Sequence, residues 1–264
     1  MNEFLFHRPA SVADAVRLLG AATDGRAIAG GQSLLPAMKL GLAAPSELID
    51  LSRVADLTGI SVDARSVRIG AMATHAAVAA SPEVRRAVPA LAKLADGIGD
   101  PAVRARGTLG GSLANNDPAA CYPAAVLALG ATVHTDRRAI GADEFFRGMY
   151  TTALAPDELI TSVEFPIPQQ AAYEKFVQPA SRFAIVGVFV ARTAGQVRVA
   201  ATGAAACVFR VQALEAALQA RFSPQACDGI AIPADGLNGD LHASARYRAH
   251  LVGVLARRAV ASLG

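Results

Sequence analysis

A chain of 264 residues can form two compact units or one large one with an ample core, and 53% hydrophobic against 18% charged residues speaks against disorder. A net charge of +3, spread without any basic run, gives nucleic acid no footing. Cys121, Cys207 and Cys227 lie far apart with no C-x-x-C spacing, which argues against a disulfide framework and against zinc or iron–sulfur ligation within the chain.

The N-terminal residues, with Glu3 and no apolar core, do not read as a signal peptide. The longest apolar run, Phe183–Ala191, falls far short of the ~20 residues a bilayer span requires. The expectation is a cytoplasmic protein with no membrane span.

In chain order, Ser11 and Asp14 form a helix-start signal, Val12, Ala15, Val16 and Leu19 supply a buried face, and Gly20 a stop. Arg26–Ala29 predicts a strand, Leu34–Leu40 one or two helical turns and Glu47–Leu51 a further strand, together a small α/β unit. Ile60 and Val62, then Val67 and Ile69, alternate with polar residues around 63–66, which predicts a hairpin. Thr74 and Ser81-Pro82 read as helix starts, and the helical pattern of Leu91–Asp96 breaks at Gly97 and Gly99. Asp117-Pro118 reads as a cap before a helix over Ala119–Leu129, followed by strands at Ala131–Thr135 and Glu158–Phe165. Pro166-Ile167-Pro168 is the best boundary. Beyond it, strands at Tyr173–Val177, Ile185–Arg192 and Gln196–Thr202 precede helices at Val211–Ala220, after Ser223-Pro224, and from about Ser244 to Ser262. That order predicts an α+β unit with helices on one face of a sheet.

Two stretches carry chemistry. Ala29-Gly30-Gly31-Gln32-Ser33-Leu34 follows a strand end, and its glycines permit positive φ and close backbone approach, so that successive N–H groups can line one concavity. Gly107-Thr108-Leu109-Gly110-Gly111-Ser112 is built the same way. Either turn alone only reverses the chain; two of them can clasp a diphosphate from both sides. The helix start after Asp117 adds a site suited to negative charge. The histidines, His7, His75, His134, His242 and His250, have no metal-ligand spacing, and no G-x-S-x-G, paired-carboxylate or G-x-G-x-x-G pattern is present. His75, after the cap Thr74, reads first as structural and second as a neighbour of the ligand.

Together with Phe6-His7-Arg8-Pro9, Ile69-Gly70-Ala71-Met72-Ala73-Thr74-His75, Asn116-Asp117-Pro118-Ala119, Tyr173-Glu174-Lys175-Phe176, Ser244-Ala245-Arg246-Tyr247-Arg248 and Arg257-Arg258-Ala259, these motifs resemble the FAD-binding (medium) subunit of the xanthine dehydrogenase and carbon monoxide dehydrogenase family of molybdenum hydroxylases. The resemblance covers nearly the whole chain. It implies an α+β fold: a two-lobed FAD-binding domain of PCMH type, like vanillyl-alcohol oxidase, over 1–168 (lobes about 1–56 and 57–168). A smaller α+β C-terminal domain over 172–264 follows, with a three-stranded sheet and helices.

By the same resemblance FAD is held by Ala29, Gly30, Gly31, Gln32, Ser33 and Leu34, and by Thr108, Gly110, Gly111 and Ser112, with Asp117 as ligand and cap. Ile160 stands where the family packs an aliphatic side chain near the flavin. Lys175 is the basic residue beside it, although the residue by itself reads equally as a solvated strand lysine. The family often carries an aspartate shortly after the Asp-Pro pair, where this chain has Cys121. No side chain is expected to act as general acid or base and none to bind metal, since the chemistry is the cofactor's. The implied role is the FAD-carrying electron-transfer subunit of a dimer of heterotrimers. An iron–sulfur small subunit with 2Fe-2S clusters would feed it, a molybdopterin large subunit with the molybdenum cofactor would oxidise the substrate, and an external acceptor would drain it. The alternatives are a stand-alone flavin oxidoreductase of the same fold and an assembly or structural subunit with a decayed FAD site.

Overall fold

A computed structural model describes residues 2–264. The chain opens with β1 (Leu5–His7), α1 (Val12–Ala21), β2 (Gly25–Ile28), α2 (Leu34–Lys39) and β3 (Glu47–Asp50). The Ser11 hydroxyl accepts from the Asp14 N–H at 3.1 Å and so starts α1, whose Ala15 and Leu19 are buried. The strands form a parallel sheet in the order β1-β3-β2, with Leu48 and Ile49 of the central strand buried. A parallel order places the ends of β2 and β3 together, so the chain leaves β2 directly into the first glycine stretch.

The middle of the chain is built on an antiparallel sheet with a bundle of short helices. It comprises β4 (Ile60–Val62), β5 (Ser66–Gly70), α3 (His75–Ala80), α4 (Pro82–Ala87), α5 (Pro89–Asp96), α6 (Pro101–Arg106), α7 (Leu109–Asn115), α8 (Tyr122–Leu129) and β6 (Thr132–Thr135). Then come β7 (Ala139–Gly141), α9 (Ala142–Phe145), β8 (Phe146–Gly148), β9 (Thr151–Thr152) and β10 (Ile160–Pro166). The sheet order is β4-β5-β10-β6-β7. In its centre Val163 pairs with Ile69 on one side and Val133 on the other, and all three are fully buried.

The last part contains β11 (Gln170–Val177), β12 (Ala184–Arg192), β13 (Val197–Thr202), β14 (Phe209–Arg210), α10 (Gln212–Ala220) and α11 (Ala245–Ala261). Its sheet has the order β11-β12-β13-β14, so the short Phe209–Arg210 strand joins the three that alternation predicts. The expected helices, α10 and α11, cover one face, where Val186, Val188, Val190 and Val199 pack with Val252 and Leu255. The other face carries Tyr173, Phe189 and Ala200 and packs into the same cluster as α8. Burial on both faces explains why Ala184–Ala191 reads as an unbroken apolar run. Every residue of α8 is buried because the middle sheet and the last sheet enclose it from two sides.

Candidate functional site

The two glycine stretches, about 80 residues apart in sequence, meet. Gly30 is seated on the Arg106–Gly107 peptide: an added Cβ would overlap the Arg106 carbonyl oxygen and stand 2.9 Å from Gly107 Cα. Only glycine permits that approach. Gly31 takes the left-handed region with φ +72°, as the turn requires.

The stretches differ in what they offer. The N–H groups of Gly30, Gly31, Gln32, Ser33 and Leu34 have no protein acceptor among the described residues, and Gln32 and Ser33 are exposed. They form a row of unspent donors. In the second stretch Leu109–Asn115 is helical, so Gly110, Gly111 and Ser112 lie in the first turn of α7 and not in an open loop. Their amides are engaged. Gly110 donates to Ala71 O at 2.8 Å, Gly111 to the Thr108 hydroxyl at 3.1 Å and Ser112 to Thr108 O at 3.0 Å. The second stretch therefore works by close packing and by the free Ser112 hydroxyl more than by an amide cradle. Gly110 packs so tightly on Ala71 that an added Cβ would lie 2.6 Å from the alanine methyl.

His75 underlies this junction. Its N–H donates to Gly107 O at 2.9 Å, its ring is buried 5.4 Å from that of Tyr122, and its Nδ1 has no partner. Burial, then the charge of Arg104, lowers the imidazole to about 4, so it is neutral at physiological pH. The Tyr122 hydroxyl is also buried without a partner, and burial pushes its phenol up.

Asp117 does not cap α8, which starts at Tyr122 with Cys121 in the cap position and no side-chain cap bond. Its carboxylate instead accepts from Ala119 N at 2.8 Å, closing a turn that Thr202 holds by donating to Pro118 O at 2.9 Å and Ala120 O at 2.7 Å. Burial, then the nearby Asp117 charge, pushes the Tyr150 phenol up. Sequence reasoning missed Asn116, which takes φ +44° and, from a buried position, donates to Gly148 O at 2.7 Å and Thr151 O at 2.8 Å. Its signal in the sequence is an Asn directly ahead of Asp-Pro, a residue type that tolerates positive φ.

Ile160 lies in the core near the start of β10, next to Thr161, whose carbonyl accepts from Ala71 N at 3.0 Å. It is thus one residue removed from the strand-to-Gly110 packing. Lys175 reaches from β11 to the end of α5. Its ammonium donates to Gly97 O at 2.6 Å and Arg182 O at 3.1 Å, and stands 3.6 Å from Cys121 Sγ. It is not a free strand lysine, and neither carbonyl partner was legible beforehand.

The arrangement fits the diphosphate of a dinucleotide. The row of unpaired amides is partly exposed, and the motif residues from Ala29 to Leu34 and Thr108 to Ser112 include no carboxylate to repel a diphosphate. Among the described residues no helix is long and apolar enough to cross a membrane.

Comparison with known proteins agrees. The family described as FAD binding domain in molybdopterin dehydrogenase matches residues 2–168. The nicotine 6-hydroxylase medium subunit of Paenarthrobacter nicotinovorans is 39% identical over 270 residues, spanning 97% of this chain and 95% of that one. The carbon monoxide dehydrogenase medium chain of Hydrogenophaga pseudoflava is 36% identical over 278 residues, spanning 97% and 96%. The solved structure of carbon monoxide dehydrogenase from Hydrogenophaga pseudoflava that lacks the Mo-pyranopterin moiety superposes with a TM-score of 0.91 at 36% identity, over 99% of this chain and 97% of that one. Quinoline 2-oxidoreductase from Pseudomonas putida 86 gives 0.87 at 30% identity, over 99% and 97%. With fold, motif geometry and near full-length similarity in agreement, this chain belongs to the FAD-binding family of the molybdopterin dehydrogenases, as an oxidoreductase flavoprotein component whose cofactor is FAD.

Proposed function

We propose that the protein is the electron-transfer subunit of a heteromeric molybdenum hydroxylase. Electrons arrive singly from 2Fe-2S clusters of a small subunit, after a molybdopterin large subunit has oxidised the substrate, and leave to an external acceptor. The observation that supports this most is the unspent amide row of Gly30–Leu34 resting on the Gly107 segment. The flavin supplies one- and two-electron redox chemistry when bound.

The chain's own residues bind and position it. Ala29 to Leu34 hold the diphosphate through backbone N–H groups, while Thr108, Gly110, Gly111 and Ser112 form the wall beside them. Asp117 offers its remaining carboxylate oxygen to a cofactor hydroxyl, Ile160 packs from the core, and Lys175 places a positive charge on the side that closes over the ring. In this reading residues 1–168 carry the cofactor and 172–264 close over it, in a cytoplasmic dimer of heterotrimers.

Gentle purification from the native host tests the reading. The expected result is a flavin absorption band in a complex with two further polypeptides, and bleaching of that band when the complex meets its substrate without an acceptor. A lone chain that turns over a small substrate, or one that never carries flavin, contradicts it.

A further inference from the structure

We propose that Cys121 and Lys175 are a redox modification site, joined by a reversible sulfur–nitrogen bond when the protein meets peroxide. An ammonium group has three N–H donors, and the structure assigns each a partner from a different segment: Gly97 O at 2.6 Å, Arg182 O at 3.1 Å and Cys121 Sγ at 3.6 Å. The first two pin the nitrogen; the third is the one partner that can be oxidised. Cys121 heads α8 and Lys175 lies on β11, so the pair spans the contact between the middle of the chain and the last sheet.

A third polar group lies on the same strand as Lys175. The Tyr173 hydroxyl, two residues before Lys175 on β11, is buried and has no hydrogen-bond partner. Gly187 opposite Lys175 leaves it room, since an added Cβ there would overlap the phenol oxygen. Burial keeps that phenol protonated, an unspent donor on the strand that carries Lys175. Cys121 is buried, only 5% exposed, which keeps bulky thiols from it, and all three cysteines are free of disulfides. The lysine amine is then the nucleophile at hand to resolve an oxidised Cys121.

The chemistry balances with hydrogen peroxide as oxidant. Sulfur attacks peroxide, an S–O bond forms, the O–O bond breaks, and water leaves behind a sulfenic acid. The amine, having given its extra proton to solvent, attacks the sulfur. An S–N bond forms, the S–O bond breaks, and the departing hydroxide leaves with an amine proton as a second water. In sum thiol, amine and one peroxide give a sulfenamide and two waters, sulfur losing two electrons and peroxide gaining two. The bridge removes the Lys175 charge and fastens β11 to the head of α8.

The site is tested by adding hydrogen peroxide to the purified full-length protein, so the result stands apart from the cofactor reading. Non-reducing tryptic mapping should find one peptide joining Cys121 and Lys175, lighter by two hydrogens than the sum of its parts, uncut after Lys175, and parted by dithiothreitol. Lys175→Arg should let Cys121 run on to sulfinic acid, and Cys121→Ser should leave position 175 unlinked after peroxide. Recovery from wild-type protein of Cys121 as unchanged thiol, sulfinic or sulfonic acid, with normal cleavage after Lys175, overturns the proposal even where a variant fails to fold.

Discussion

Gly30 rests directly on the carbonyl of Arg106, and this one contact brings together two motifs that the chain separates by about 80 residues. It sets where the free amides of the first motif stand relative to the wall formed by the second. Without it each turn is an ordinary chain reversal.

Gly30→Ala should therefore damage the site more than its one added methyl suggests. The Cβ would overlap the Arg106 carbonyl, backbone facing backbone, and forced repacking of that kind costs ~1–3 kcal/mol. Flavin fluorescence titration should show FAD binding weakened about tenfold or more, the equivalent of ~1.4 kcal/mol. Wild-type affinity in the variant would show that the contact does not set the site.

Cys121→Asp should bind FAD several-fold more tightly. The new carboxylate would meet the Lys175 ammonium, a donor that would orient it, and charge-assisted bonds of this kind are about twice as strong as neutral ones. Its remaining lone pairs are open to a cofactor hydroxyl. An unchanged or weaker dissociation constant on titration would remove the idea.

His75 should make stability fall with acid well before the carboxylates titrate. Its folded value of about 4 lies below the unfolded 6.5, so the unfolded chain binds the extra proton between those limits. Stability then drops as pH falls from 6.5 towards 4 and the contribution levels off below. Melting curves of His75→Gln should lose this slope, and a slope equal to wild type would assign it to another group.

Glu158 contributes in a lower window. The Arg138 guanidinium, then bonds from Ala155 N and Thr135, hold its carboxylate at about 2 against a partial burial cost, where an ordinary one lies at 4.5. The depressed value means stability that is present above pH 4.5 and lost as pH falls towards 2. Glu158→Gln should lower stability at neutral pH by about 2 kcal/mol and flatten acid denaturation below pH 4.5. Superimposable acid-unfolding curves for variant and wild type would count against this.

Local signals carried much of this protein. Caps at Ser11, Thr74, Ser81 and Ser244 each bind the N–H three residues on, because a short hydroxyl side chain reaches no other backbone donor so readily. Alternation drew the 60–69 hairpin and the strands after Pro168, and the motifs of residues 29–34 and 107–112 named the family. Asp117 misled because an Asx turn and a helix cap use the same carboxylate-to-amide bond two residues on, and only distant Thr202 decides between them. That Gly110–Ser112 spend their amides internally follows from Ala71 and Thr108, the first of which lies four helices earlier in the chain. The Lys175 clasp draws on Gly97, Arg182 and Cys121, and the second buried face of β12 depends on α8. Periodicity and turn chemistry act over a few residues and are written in order along the chain. Close backbone approach and the pairing of buried polar groups arise from segments far apart in sequence, and only their packing together brings them into being.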